Sequence, residues 1–367
     1  MKILQEYTLD ELKQEMDKRS VKRFRAEQIY QFACTYTPID EMTNLPKELR
    51  EELKQEFTST PVEIYKKFES KDGTIKFLFR LQDNNIVEGV LMSYKYGNTI
   101  CISTQVGCRM GCSFCASGID GRVRNLEAGE MVGEVLAVNR YLGGGLKEDR
   151  KITNIVLMGS GEPLDNFDNV VRFIELISYK SSINISPRNI SLSTCGIAPK
   201  IRELADRNLG ITLTISLHAT TDENRKKIMK IANAYSLADL IEAIQYYYKK
   251  TKRRIVFEYI LSRGNVSKAD AKRFASLTKG IMCHVNMIPI NKTPESPLLP
   301  ASQEKIHEFF EELKAHGISA TTRRTLGADI DGACGQLRRR VLKEESENNS
   351  ENSLQSENQT NKTNSEN

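Results

Sequence analysis

The sequence predicts an α/β fold: an open, partial (β/α)6 barrel, preceded by a small helical and β-hairpin domain and followed by a disordered polar tail. Three observations lead there. From Thr99 onward, short β-branched runs alternate with amphipathic runs of helical length, which implies parallel strands joined by crossover helices. Before that point the periodicity is helical and then of hairpin type. After Ser346 it vanishes into Ser, Asn, Glu, Gln and Thr, with Leu354 the one apolar residue. The divisions fall at 1–95, 96–342 and 343–367 of the 367 residues.

In chain order, Thr8 is placed to cap a helix whose Leu9, Leu12 and Met16 share a face. A second amphipathic helix covers Arg25 to Tyr36 through Ile29, Tyr30, Phe32 and Ala33. Pro46 opens a third, ahead of Leu49, Leu53 and Phe57. Strands follow at Val62–Phe68, Thr74–Leu81 and Ile86–Tyr94, with Asp72-Gly73 as a turn between the first two. The repeat then offers strands at Ile100–Thr104, Ile152–Met158, Asn189–Thr194, Ile211–Leu217, Ile255–Leu261 and Ile281–Pro289. Helices at Gly129–Leu142, Asp168–Tyr179, Lys200–Asp206, Leu237–Lys250 and Lys268–Lys279 separate them, and Gln303–Ala315 follows the last strand. Six units are fewer than a closed eight-unit barrel needs; a doubly wound sheet is the alternative. Either architecture puts chemistry at the C-terminal ends of its strands.

The composition is that of an ordinary globular chain, 39% hydrophobic and 28% charged. No run approaches the ~18 apolar residues of a membrane span. The N-terminus meets charge at once, so no secretory signal is expected and the cytoplasm is the expected compartment. Eight cysteines are too sparse for a disulfide scaffold. The tail from Lys343 has two Lys and six Glu, net −4, so of the total +5 the body carries +9. A basic body suits a polyanionic partner or simply a solvated surface. Arg/Lys clusters at 18–25, 225–227, 252–254, 323–324 and 338–340 could contact phosphates.

Cys108, Cys112 and Cys115 form a C-x3-C-x2-C motif just after the first strand of the repeat. Zinc sites and four-iron clusters usually take four protein ligands. Three thiolates on a [4Fe-4S] cluster leave one iron open. The amine and carboxylate of S-adenosyl-L-methionine can fill that position, and electron transfer to its sulfonium then generates a 5′-deoxyadenosyl radical. Zinc, or three unrelated thiols, is the competing reading.

This spacing resembles the radical S-adenosylmethionine (SAM) superfamily, and further motifs resemble the RlmN/Cfr family of RNA adenine methyltransferases. They include Phe24-Arg25-Ala26-Glu27-Gln28-Ile29, Asp72-Gly73-Thr74-Ile75-Lys76, Gln105-Val106-Gly107-Cys108 and Gly161-Glu162-Pro163-Leu164. Ser216-Leu217-His218-Ala219 and the run from Asp329 to Leu337 complete the set, so the resemblance spans Arg23 to about Leu337. Pro163 and the Phe24–Ile29 run lie on the RlmN side, which implies methylation of C2 of adenosine 2503 in 23S rRNA and adenosine 37 in tRNAs.

The resemblance implies roles residue by residue. Gly161 and Glu162 would meet the methionine amino group of SAM. Ser193, Ser216, Leu217, His218 and Asn291 would hold its ribose, carboxylate and adenine. Taken singly, each of these is also an ordinary strand-end hydrogen-bonding position. Adenine C2 has no lone pair to attack a methyl sulfonium, so a radical route is implied. In that route Cys334 takes a methyl from one SAM, and a second SAM yields the radical that activates the resulting S-methylcysteine. Two SAM are thus used per turnover. Glu88 accepts the C2 proton, and Cys101 attacks the Cys334 sulfur, leaving a disulfide. An exposed strand glutamate is the plain reading of Glu88. The implied partners are 23S rRNA and tRNA, held in part by residues 1–95, and an electron donor such as flavodoxin or ferredoxin. A monomer with no membrane attachment is expected.

Cys34, Cys195 and Cys283 read as structural. Lys230 stands where the family pattern leads one to expect Pro. A Cfr-like enzyme acting at C8, and a non-enzymatic Fe-S or zinc RNA-binding protein, are the alternatives.

Overall fold

The computed structural model describes residues 1–146, 149–290, 298–324 and 326–330. Asn291, Cys334 and the tail from Lys343 therefore lie outside the described residues.

The chain opens with strand β1 (Lys2–Ile3), then helices α1 (Leu9–Asp17), α2 (Arg23–Cys34) and α3 (Lys47–Glu56) and strand β2 (Phe57–Thr58), which pairs with β1 in parallel. Thr8 starts α1 through a capping box. Its Oγ1 accepts from Glu11 N at 3.3 Å, while the Glu11 carboxylate accepts from Thr8 N at 2.7 Å. Leu4, Leu12, Met16, Ala26, Ile29, Leu53 and Phe57 form a core belonging to this helical module.

Strands β3 (Val62–Glu69), β4 (Ile75–Leu81) and β5 (Ile86–Tyr94) follow as antiparallel hairpins, and β5 pairs antiparallel with β6 (Gly97–Ile102). A short hairpin of β7 (Gln105–Gly107) and β8 (Arg122–Asn125) precedes α4 (Ala128–Tyr141). The alternation then runs β9 (Ile152–Leu157), α5 (Phe167–Ser178), β10 (Ile190–Thr194), α6 (Ala198–Arg207) and β11 (Thr212–Ser216). It continues through α7 (Asp222–Ile228), α8 (Leu237–Thr251), β12 (Ile255–Leu261), α9 (Lys268–Leu277), β13 (Cys283–Pro289), α10 (Gln303–Ala315) and β14 (Ser319–Thr322).

Among the described residues, ten strands form one open sheet in the order β14-β13-β12-β11-β10-β9-β6-β5-β4-β3. From β6 to β14 all pairs are parallel. The predicted α/β architecture is present, with two differences. A seventh parallel strand, β14, extends the barrel; its sequence Ser-Ala-Thr-Thr is polar and largely exposed, so it carries no apolar signal. The hairpin strands β3–β5 are continuous with the barrel sheet instead of forming one of their own.

Alternation sorts the two faces. Ile100, Ile155, Leu192, Leu213, Ile215 and Phe257 join the main core. Register sets the opposite parity on the other face: Val90, Cys101, Val156 and Ser191 form one row. Ser193 with Thr214, and Ser216 with Glu258 and Asn286, extend it. The strands thus present a row of polar side chains on one face of the sheet.

Candidate active site

The cysteine loop leaves β7 at Gly107. Its φ of 74°, and the 2.0 Å that would separate a Cβ from the Gly121 carbonyl oxygen, admit only glycine. Cys108 N donates to Gly121 O at 2.9 Å, Cys115 N to Cys112 O at 3.1 Å and Ser113 N to Ile228 O at 2.9 Å. Arg109 forks onto Asp165, with Nε 3.0 Å from Oδ2. Gln105 and Arg122 donate to the same oxygen at 2.9 and 2.7 Å. Burial pushes the Asp165 carboxyl up, but the bonds from Arg109 and Gln105 outweigh it and hold it below the usual range. The loop is thereby strapped to the turn after β9.

Burial lifts the Cys108 thiol to about 12, and lifts Cys112 too, with Cys115 and Cys108 adding to the effect. Such thiols ionise when a bound cation compensates. No group of three or more His, Cys, Asp or Glu side chains among the described residues converges on a single-ion position.

The three cysteines line a cavity of about 540 Å³ together with Gly161, Glu162, Ser193, Ser216 and His218. Separate strand ends thus deliver five of the predicted SAM-binding residues to the thiols. Gly161 has φ 111°, and a Cβ there would lie 2.8 Å from Gln105 N, so only glycine fits this turn against β7. Glu162 is buried, which pushes its carboxyl up. Its oxygens accept from Cys195 N at 2.7 Å and Leu164 N at 3.0 Å. A carboxylate retains acceptor capacity beyond two such bonds. Burial, then the nearby Arg225, lowers His218 to about 3, so its imidazole is neutral at physiological pH. Its ring meets Phe114 edge-on, centroids 4.8 Å apart, and its Nδ1 accepts from Ile260 N at 3.3 Å.

Leu217 does not line the cavity. Its side chain is fully buried, its N donates to Glu258 O at 3.1 Å and its carbonyl accepts from Arg225 Nε at 3.3 Å. Glu258, which sequence reasoning passed over, does line it. The Ser193 and Ser216 hydroxyls donate to Glu258 Oε2 at 3.1 and 3.3 Å. Its signal was a lone acid within the apolar strand Ile-Val-Phe-Glu-Tyr-Ile-Leu. Cys195, read as structural, also forms part of the wall.

Cys101 and Glu88 occupy the same sheet face outside the cavity wall. Cys101 pairs with Val90, two residues along β5 from Glu88. Glu88 is buried and bridges to Lys76, which corrects the exposed-strand alternative. None of the described cysteines, 34, 101, 108, 112, 115, 195 and 283, is joined in a disulfide. One basic cluster is also corrected: Arg225 is fully buried and cannot contact RNA phosphates. No helix among the described residues is long and apolar enough to cross a membrane.

The chain is similar to known proteins over most of its length. The family model "Radical SAM superfamily" matches residues 102–268, and "Ribosomal RNA large subunit methyltransferase N-terminal domain" matches 3–58. The chain is 50% identical to a probable dual-specificity RNA methyltransferase RlmN of Clostridium novyi (strain NT), over 94% of this chain and 99% of the relative. A protein of the same name from Clostridium botulinum (strain Alaska E43 / Type E3) is also 50% identical, over 94% and 98%. The crystal structure of a radical SAM methyltransferase from Sphaerobacter thermophilus superposes with a TM-score of 0.87. It is 41% identical, and the match covers 92% of this chain and 99% of that one.

Proposed function

The chain belongs to the RlmN family of radical SAM RNA methyltransferases, and we propose that it methylates C2 of adenosine 2503 in 23S rRNA and of adenosine 37 in tRNAs. The observation that carries this reading is the shared cavity: the three-cysteine loop and the polar strand ends wall one space of about 540 Å³.

Cys108, Cys112 and Cys115 would hold a [4Fe-4S] cluster, which when bound supplies one electron to SAM. Gly161, through its backbone, and Glu162 receive the methionine ammonium. Ser193, Ser216, His218 and Asn291 hold the remaining polar groups, and Glu258 orients the two serine hydroxyls. Cys334 acts first as a nucleophile: its sulfur bonds to the methyl carbon as the carbon–sulfonium bond breaks, leaving S-methylcysteine. A second SAM is used later in the same turnover. Glu88 takes the proton from adenine C2. The S-methyl carbon, after losing a hydrogen atom to the radical that the second SAM would supply, bonds to C2 as that proton leaves, and the odd electron would return to the cluster. Cys101 then attacks the Cys334 sulfur; a sulfur–sulfur bond forms as the bond from that sulfur to the transferred carbon breaks, and the carbon takes up a proton to become the methyl group. The resulting disulfide must be reduced before the next cycle, and flavodoxin or ferredoxin suits the electron supply. The target base must leave its stack to enter the site. Residues 1–95 are assigned to holding the RNA, and a cytoplasmic monomer fits the need for reduced thiols.

The test is Cys334→Ala after anaerobic reconstitution. The variant retains its iron and loses RNA methylation. Normal turnover without the Cys334 thiol would refute the methyl-carrier role.

A further inference from the structure

Arg225 is among the largest side chains sealed in the interior of the described residues, with no exposed surface. Arginine does not deprotonate in proteins, so this is a buried positive charge. No carboxylate lies within ion-pair distance of it among the described residues; its contacts are carbonyls, Nη2 to Cys195 O at 2.6 Å and Nε to Leu217 O at 3.3 Å. The third guanidinium nitrogen, Nη1, has no hydrogen-bond partner among the described residues. Asp222 acts on this charge only from beyond ion-pair distance. A buried charge with no carboxylate in contact and an unpartnered Nη1 is unfavourable, so this one is suited to an anion.

The neighbouring chemistry names that anion. Arg225 lies on α7, whose last carbonyl, that of Ile228, accepts from Ser113 N at 2.9 Å inside the cysteine loop. The residue whose carbonyl Arg225 holds, Cys195, lines the cavity together with Cys112. Two residues beyond α7, Lys230 reaches the same loop: a Cβ on Gly111 would lie 3.0 Å from its Cδ and 3.3 Å from its Nζ. Lys230 lines the cavity mouth, is exposed, and forms no ion pair among the described residues. It is also the position at which this chain departs from the expected Pro. An iron–sulfur cluster on three thiolates is anionic, and reduction adds one more negative charge.

We propose that Arg225 and Lys230 are resident counter-cations of the cysteine loop, one buried behind it and one at its rim, which raise the reduction potential of the cluster bound there. The sign follows from Coulomb's law: a nearby cation stabilises the more negative, reduced state. Both act through the cluster and are positioning residues. Lys230 tunes the potential beyond what the buried arginine provides.

This inference rests on the cluster reading of the site, and one experiment separates the two. Reconstituted full-length protein is titrated anaerobically against solution potential, following the reduced cluster by electron paramagnetic resonance. Lys230→Met lowers the reduced-to-oxidised ratio severalfold at fixed potential, and Lys230→Glu lowers it further. Arg225→Gln, at full iron content, lowers it about tenfold, equivalent to about 59 mV for a one-electron couple. Arg225→Lys stays near wild type. If Arg225→Gln takes up no iron, Arg225→Lys decides for that residue: uptake near the wild-type potential supports the charge role, and failed uptake overturns it. Superposed titration curves for wild type, Lys230→Met and Lys230→Glu would overturn the role of Lys230. A wild-type protein that binds no cluster would overturn the reading of the site itself.

Discussion

Lys76 and Glu88 form an ion pair, Nζ to Oε2 3.2 Å, with side chains 0% and 6% exposed. Lys76 stands opposite Val90 and Glu88 opposite Leu78, so the pair crosses diagonally between β4 and β5, on the sheet face that carries Cys101. The proposed proton acceptor is thus held near the proposed resolving thiol by a buried cation. Removing one partner leaves an uncompensated buried charge, which costs about 3–5 kcal/mol. Lys76→Met should therefore destabilise the protein by that amount in urea unfolding. The double variant Lys76→Met/Glu88→Leu should recover much of the loss and remain inactive. Equal unfolding midpoints for Lys76→Met and wild type would show that the pair is unimportant to folding.

Cys101→Ala removes the proposed resolving thiol and keeps the methyl carrier. The expected product is a covalent protein–RNA adduct, retained on a denaturing gel and sensitive to nuclease. Only free methylated RNA would contradict the role.

Glu258 collects two hydroxyls from neighbouring strands. Glu258→Ala frees Ser193 and Ser216 to turn and leaves a gap in the cavity wall. SAM affinity, measured by calorimetry on the reconstituted protein, should fall by about tenfold, or about 1.4 kcal/mol, the scale of one hydrogen bond to a charged group. Unchanged affinity would place Glu258 outside the cofactor site.

Glu134 on α4 has no exposed surface; its Oε2 accepts from Ser103 N at 3.2 Å and its Oε1 has no hydrogen-bond partner among the described residues. Burial raises its carboxyl well above the ordinary 4.5, and the Ser103 bond offsets only part of this. The folded protein therefore keeps a proton that the unfolded chain releases. Stability is fully present below the unfolded value and falls as pH rises above it. Every tenfold weakening of this acid on folding corresponds to about 1.4 kcal/mol at alkaline pH. Glu134→Gln, which mimics the neutral acid, should match wild type at about pH 4 and be the more stable of the two at about pH 8. Parallel stability–pH curves would contradict a neutral buried Glu134.

Local signals carried much of this structure. The Thr8-x-x-Glu11 pattern, the bounds Ile255–Leu261 and Gln303–Ala315, and the cysteine spacing all express neighbours close in sequence. What escaped depends on tertiary register. Arg225-Lys226-Lys227 reads as a solvated basic run, and only the packing of α7 against the strand ends at Cys195 and Leu217 buries its first member. The Lys76–Glu88 pair requires the hairpin alignment of β4 on β5, and Glu258 acquires meaning only when β10 and β11 bring two serines to it. Strand β14 pairs through its backbone with β13 while its side chains stay polar, so hydrophobic periodicity could not reveal it.

The central claim is methyl transfer to adenine C2. Its most direct test is mass spectrometry of nucleosides from 23S rRNA and tRNA, isolated from cells with and without this protein. The account predicts 2-methyladenosine in both RNA classes, lost with the protein. Detection of 8-methyladenosine instead, or of nucleosides unchanged by its removal, would contradict it.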